Sequence, residues 1–422
     1  MEVVGLNSAA KEIAASSVRS AVVEPGLSAR LRQRIETQFK ERWEKEWGRK
    51  FVTHGRAPGP DAVRLDGNDY LSVTGHPDIV QSQLDALRCN REFIVQSGVF
   101  QLDGSPTSRF EAALADYVGK EGALLCQSGY TANLGLIQVV ADPETPVYLD
   151  SLAHMSLWEG VRAAGAPAHA FRHNDPAHLE KMIQRHGPGL VIVDSVYSTT
   201  GALCPLEAIV ATSEAHGCMI LVDESHSLGT HGPQGRGLCA ELGLSQRVHF
   251  ITASLAKAFA GRAGFFTMPD ELRPYLMCHS YPSIFSSCLL PHEIAGLAAT
   301  LQVVQRSDVA RDQLRKNTRR LRQAFSDCGF PIHHGSEQII SLEAGAEADT
   351  LALRDALEER GVFGAVFCAP ATSRNRAMVR LTLNSALTDA EMGHVEAAAR
   401  EVAPLVKPWD WAIARRQRGR AE

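Results

Sequence analysis

Between residues 123 and 254 the chain carries five short apolar runs: "ALLCQSG" (123–129), "PVYLD" (146–150), "GLVIVDS" (189–195), "CMILVDE" (218–224) and "VHFITAS" (248–254). Their apolar positions are continuous instead of alternating, the pattern of strands buried on both faces. The stretches between them are long enough for helices, so strand and helix alternate. That alternation predicts βαβ crossovers and an α/β class, a mostly parallel central sheet sandwiched by helices. Three runs close on aspartate, at Asp150, Asp194 and Asp223. One such acid is as well explained as a loop or helix-capping residue. Three at successive strand ends point to a site, because open α/β sheets bind ligands beyond the carboxyl ends of their strands.

The flanks differ. Over residues 28–50, Leu31, Ile35, Phe39, Trp43 and Trp47 recur every four positions, which predicts an amphipathic helix with a charged outer face. After Pro291 a long helical stretch begins, and "DVARDQLRKNTRRLRQAFSDCG" (308–329) is amphipathic and basic outside. A smaller α+β lobe follows, built from "QIISLEAG", "DTLALRDALEERG" and "AMVRLTLNS". In the last of these Val379, Leu381 and Leu383 share one face, and Arg380 and Thr382 the other. The expected organisation is an N-terminal helical arm (1–65), a large domain (66–290) and a small C-terminal domain (291–422) ending in a basic tail, "ARRQRGRAE".

Composition narrows the function. A chain of 422 residues exceeds the roughly 250 to 300 that one core usually supports, so two lobes are expected. No run of 18 apolar residues offers a membrane span. With 43 basic and 48 acidic side chains the formal charge is −5, which gives no overall field for nucleic acid or an anionic membrane. The partners expected are small molecules. Nine scattered cysteines without a CxxC pair suggest neither a disulfide framework nor a metal site. They fit reduced thiols in a cytoplasmic protein, and "MEVVGLNSAAKEIAASSVRS" lacks the basic start and apolar core of a secretory signal.

"FITASLAKAFAGRAGFF" (250–266) sets Lys257 just past a buried strand. An ammonium there costs several kcal/mol, of order, unless it is paired or neutral. Either it bridges to a strand-end acid, or its nitrogen is held as an imine to an aldehyde cofactor.

"LVDESHSLGTHGPQGRGL", with the lysine of "TASLAKAF" 34 residues after Asp223, resembles the α-oxoamine synthases, pyridoxal-phosphate enzymes that condense an amino acid with an acyl thioester. "GNDYLSVTGHPDI", "CQSGYTANLGLI", "YLDSLAHMSLWEG", "DSVYSTTGALCPL", "YPSIFSSCLLP" and "VRLTLNS" resemble that family's motifs in its order, over roughly residues 65–400. Within the family, "AHMSLWEG", "QRHGPG", "DESHSLGTHGP", "ASLAKAFA", "SYPSIFSS" and "VFGAVFCAPATSRNR" are most similar to the bacterial synthases of α-hydroxyketone quorum-sensing autoinducers. The resemblance implies a fold-type I, aspartate-aminotransferase-like PLP-dependent transferase.

It also implies roles. Lys257 carries pyridoxal 5'-phosphate as an imine and later removes the Cα proton; Asp223 faces the pyridine nitrogen and keeps it protonated. His226 and Ser198 serve the ring hydroxyl, and His154 lies flat on the ring. Taken alone, His154 reads more ordinarily as a capping or core histidine. Ser128, Gly129 and Tyr130 form a helix-opening turn for the phosphate, helped by Ser254. Ser286 and Ser287 reach across the interface of a homodimer with shared active sites. Arg380, otherwise an ordinary surface ion-pair residue, clamps the substrate carboxylate with Asn68. Glu224 and Ser225 are structural. Two departures stand out: Val99 and Phe100 add bulk where relatives have small residues, and "AGRAG" places Arg262 after the lysine. The implied reaction joins S-adenosylmethionine or 2-aminobutyrate to a medium- or long-chain acyl-CoA, with decarboxylation. Its product is an α-aminoketone or enaminone precursor of the signal. Alternatives are another α-oxoamine synthase using glycine, alanine or serine, and a silent partner subunit, against which Lys257, Asp223 and His154 count.

Overall fold

The computed structural model describes residues 26–53, 55–89, 96–332, 335 and 337–414. The N-terminal stretch through residue 25 and the basic tail from residue 415 lie outside them. The chain divides into two units, residues 1–50 and 51–422. In the first, Ser28 caps a helix at Ala29–Ile35, its Oγ accepting from the Leu31 N–H at 3.2 Å. The winding continues as a π-turn over Glu36–Lys40 and an α-turn over Glu41–Lys45. Phe39 stacks on Trp43 and meets Trp47 edge-on, both at 6.2 Å between ring centroids.

In the second unit all five apolar runs are strands: β2 (Gly122–Cys126), β3 (Val147–Asp150), β5 (Leu190–Asp194), β6 (Met219–Asp223) and β7 (Phe250–Ser254). Two more complete a seven-stranded sheet, β4 (Ala168–Phe171) and β8 (Gly264–Met268), in the order β2-β8-β7-β6-β5-β3-β4. Only β8 runs against its neighbours. β4 escapes an apolar-run search because it is a short, half-covered edge strand carrying polar His169. Each central strand feeds two cores. Ile220 and Val222 of β6 pack with Val191 and Ile251 on one face, while Leu221 packs with Leu136, Ile192 and Phe266 on the other. Because β3, β5, β6 and β7 are parallel, Asp150, Asp194, Asp223 and Ser254 end along one edge, with Asp194 directly beside Asp223.

A second sheet has the order β1-β10-β11-β9, from β1 (Val63–Leu65), β9 (Ile339–Gly345), β10 (Val362–Phe367) and β11 (Ala377–Thr382). β1 pairs parallel with β10, so residues 63–65, on the arm side of the sequence-based boundary, are part of the C-terminal sheet. Helix Glu347–Glu358 packs on this sheet, and Asp389–Val406 packs on that helix and on Asp308–Asp327. β11 lies inside it, and Arg380 and Thr382 are only 4% and 3% exposed. Its polar face is therefore turned to a buried site and not to solvent. Among the described residues no helix is long and apolar enough to cross a membrane.

Candidate active site

The β6 strand delivers Asp223 and then turns. Asp223 is 4% exposed; its Oδ1 accepts from the Ser225 N–H at 2.9 Å and its Oδ2 from the Asn133 amide at 2.8 Å. Ser225 is a strut, since its Oγ also accepts from the Ser254 N–H at 2.8 Å and ties β7 to this turn. Glu224 points away, accepts from the Cys239 N–H at 2.7 Å, and burial pushes its carboxyl up to about 7. His226 shares a 2.5 Å hydrogen bond between Nδ1 and the Tyr70 hydroxyl, and its carbonyl accepts from Gln338. Burial drives its pKa well below the usual histidine range, helped by the positive charges of Lys257 and Arg380. His226 is neutral.

Above this turn opens a cavity of about 550 Å³ whose lining includes Asn68, His154, Ser198, His226, Lys257 and Arg380. Lys257 makes no ion pair with any described residue, which removes the strand-end salt bridge as its explanation. Burial, reinforced by Arg380 and opposed by Asp223, lowers its pKa to about 8. Arg380 donates to the Ser198 carbonyl and to Asn68 Oδ1, both at 2.9 Å, and its guanidinium lies over Phe367 at 4.6 Å. Among the described residues it has no carboxylate partner, and its buried Nε has no hydrogen-bond partner. A surface ion pair is thereby excluded. Two cations face one cavity without counter-ions, which is the electrostatic signature of a site for an anion.

At the other end of the proposed constellation, Ser128 caps the helix Gly129–Val140, exchanging hydrogen bonds with Thr131. Gly129 is required there. A Cβ on it would sit 2.7 Å from Ser254 Cβ, and one on Gly264 would sit 2.3 Å from the Gly129 nitrogen. The helix start, β7 and β8 thus meet backbone to backbone. Tyr130 is exposed, and the Ser254 Oγ accepts from the Ala256 N–H at 3.2 Å. None of Ser128, Gly129, Tyr130 or Ser254 lines the 550 Å³ cavity, nor do Ser286 and Ser287. Ser286 donates to the Pro282 carbonyl, while Ser287 is exposed and its carbonyl accepts from Gln127.

The family model for aminotransferase class I and II matches residues 60–398. The chain belongs to this family. Within it the chain is an α-oxoamine synthase. It is 46% identical to the CAI-1 autoinducer synthase of Vibrio campbellii over 87% of this chain and 93% of that protein. It is 31% identical to 5-aminolevulinate synthase 2 of Cereibacter sphaeroides, covering 83% and 86%. A serine palmitoyltransferase of S. paucimobilis, solved with PLP and myriocin bound, superposes with a TM-score of 0.76 at 26% identity, covering 82% and 88%. The architecture is that of the fold-type I transferases.

In this α-oxoamine synthase His154 caps the helix Met155–Ala164, and its N–H donates to Asp194 Oδ2 at 3.0 Å. The ring nevertheless lines the cavity, so capping and site positions coincide. Burial lowers its pKa, with Asp223 opposing and Lys257 adding. Asp194 is pushed well above the carboxylate range by burial and by the neighbouring Asp223. Asp150 is a loop acid, accepting from the Leu152 and Asn174 N–H groups at 2.8 Å and pairing with His173 at 3.0 Å. Asp194 and Asp223 do not line the cavity themselves but connect to His154, Asp194 through its backbone N–H and Asp223 through Asn133 and Ser156. Sequence reasoning missed Tyr70, Asn133 and Ser156. Asn133 had a signal, standing four residues after Gly129 on the same helix face. Phe100 is 66% exposed and, like the exposed Arg262, does not line the cavity, so neither shapes it within one chain.

Proposed function

We propose that this protein condenses S-adenosylmethionine or 2-aminobutyrate with a medium- or long-chain acyl-CoA, releasing CoA and carbon dioxide and, from S-adenosylmethionine, methylthioadenosine by elimination from its side chain. The product is the α-aminoketone or enaminone precursor of an α-hydroxyketone quorum-sensing signal. As an α-oxoamine synthase the chain is a pyridoxal-phosphate-dependent acyltransferase. Its residues fit that cofactor. Lys257 is a half-buried amine without a counter-ion, Asp223 is a carboxylate held by two donors, and Gly129 brings helix N–H groups against Ser254. The observation that carries the reading is the pairing of an uncompensated Lys257 with an uncompensated Arg380 across one cavity.

Lys257, Asp223, His154, His226 and Ser198 would hold the cofactor ring. Ser128, Gly129, Tyr130 and Ser254 would hold its phosphate, with Ser286 and Ser287 contributed by a second copy in a homodimer. When bound, the cofactor supplies an electron sink conjugated to the amino acid Cα. Arg380 binds the donor carboxylate with N–H groups presented as a fork, while Phe367 beneath fixes the guanidinium plane. Asn68 accepts from that guanidinium and sets its rotation. Lys257, with a pKa of about 8, is neutral often enough near pH 7 to accept the Cα proton. Asp223, held in place by its two donors, would present its carboxylate to a protonated ring nitrogen. Trp158, Met155, Phe367 and Met378 give the cavity an apolar wall with more room than a glycine donor uses. That wall and the 46% identity to a CAI-1 autoinducer synthase support the signal-synthase reading.

Purified protein supplied with acyl-CoAs of graded length and with S-adenosylmethionine, 2-aminobutyrate, alanine, glycine or serine should release CoA and yield a ketone by mass spectrometry. The first two donors are expected to lead. Turnover confined to glycine, alanine or serine would replace the donor assignment with a biotin-, haem- or sphingoid-type one.

A further inference from the structure

We propose that Asn133 and Ser156 are positioning residues that fix His154 in one tautomer, with Nδ1 bare and a single N–H on Nε2 facing the cavity. The inference rests on the cavity being the site of the condensation. A chain of hydrogen bonds and one backbone donor point to the proton positions. The Asp223 carboxylate accepts from the Ser225 N–H at Oδ1 and from the Asn133 nitrogen at Oδ2, at 2.8 Å. The second N–H of that amide reaches Ser156 Oγ at 2.8 Å. The Ser156 hydroxyl, accepting there, still has its own proton to give and lies 2.7 Å from His154 Nδ1. An independent donor agrees: the backbone N–H of Ser156, which can only donate, lies 3.3 Å from the same nitrogen.

Both residues are interior, Asn133 at 2% and Ser156 at 0% exposure. The amide carbonyl of Asn133 is buried with no hydrogen-bond partner among the described residues. An asparagine placed for packing or fold alone has no reason to leave its acceptor stranded while aiming both N–H groups at site residues. The charge of Asp223 therefore reaches His154 through two neutral side chains. It leaves His154 a neutral donor that adds no positive charge beside Lys257. The ionisable groups facing the ring are Asp223, Lys257 and His226, with Asp194 on its backbone N–H.

The test is nitrogen NMR of histidine-labelled full-length protein, read with and without cofactor. Wild-type His154 should show a bare Nδ1 and a protonated Nε2. Ser156→Ala should mix the tautomers and lower kcat about 10- to 100-fold, the cost of loosening a positioned group, with little change in KM for the acyl-CoA. Ser156→Thr, which keeps the hydroxyl, should restore both. Asn133→Ala should mix the tautomers as well and move the pH at which the bound cofactor's visible absorbance changes. A wild-type His154 protonated on Nδ1, or an unchanged tautomer in Ser156→Ala, overturns the proposal. The wild-type spectrum decides even where a variant does not fold. The spectrum of unloaded protein stands whether or not the condensation is found, so the two readings can fail separately.

Discussion

Lys257→Met should stabilise the cofactor-free protein. In the folded chain the Lys257 pKa falls from 10.5 to about 8, chiefly through burial. At about 1.4 kcal/mol per pKa unit, a charged Lys257 costs the fold about 3 kcal/mol at neutral pH. The direction follows from linkage. Above pH 10.5 the amine is neutral in both folded and unfolded chains and the cost is absent. As pH falls through 8 the folded site must accept a charge it disfavours, and the cost is complete. Methionine matches the side chain in length and carries no charge. At an unfolding entropy of about 2.1 cal/mol/K per residue, the unit spanning residues 51–422 should gain about 4 °C in Tm at pH 7. By pH 9.5 the advantage should shrink to roughly half, and it should vanish near pH 10.5. Thermal melts of stripped wild type and variant at several pH values, taken as differences so that other titrating groups cancel, make the measurement. A variant that melts at or below the wild type at pH 7, or a pH-independent difference, would refute the argument that Lys257 is an uncompensated amine.

Arg380→Lys keeps the charge but loses the fork and the stacking on Phe367, so KM for the amino donor should rise about 10- to 100-fold, of order 1.5–3 kcal/mol, with KM for the acyl-CoA nearly constant; equal effects on both substrates in steady-state kinetics would contradict a carboxylate role. Gly129→Ala should weaken cofactor affinity at least tenfold in a titration followed by absorbance, because its Cβ would press on Ser254; unchanged affinity would remove the turn from the phosphate site. Asp223→Ala should fold with wild-type circular dichroism yet lose at least a thousandfold in kcat, and retained turnover would dismiss the pyridinium assignment.

The large sheet was legible because its strands are buried on both faces, and a continuous apolar run with a polar terminus is a local signal. β4 and β8 were not read as strands: one is a half-exposed edge, and the other follows the lysine turn without a separate boundary. Residues 63–65 fell on the wrong side of the division because nothing local tells a three-residue strand that its partner is Val362–Gly364. Arg380 was visible as the polar side of an alternating strand, but only the packing of β11 inside its sheet shows that this side is buried. Tyr70 meets His226 across 156 positions, and Asn133 meets Asp223 across 90, distances that no periodicity spans. Asp150 looked like its neighbours in sequence and differs only because His173 and Asn174 fold back onto it.

Borohydride reduction of the purified, cofactor-loaded protein, followed by digestion and peptide mass spectrometry, puts the covalent claim to its most direct trial. The visible absorbance should bleach, and a pyridoxyl phosphate group should be recovered on the peptide containing Lys257 and on no other lysine. An unmodified Lys257 peptide, or a label placed elsewhere, would contradict the account.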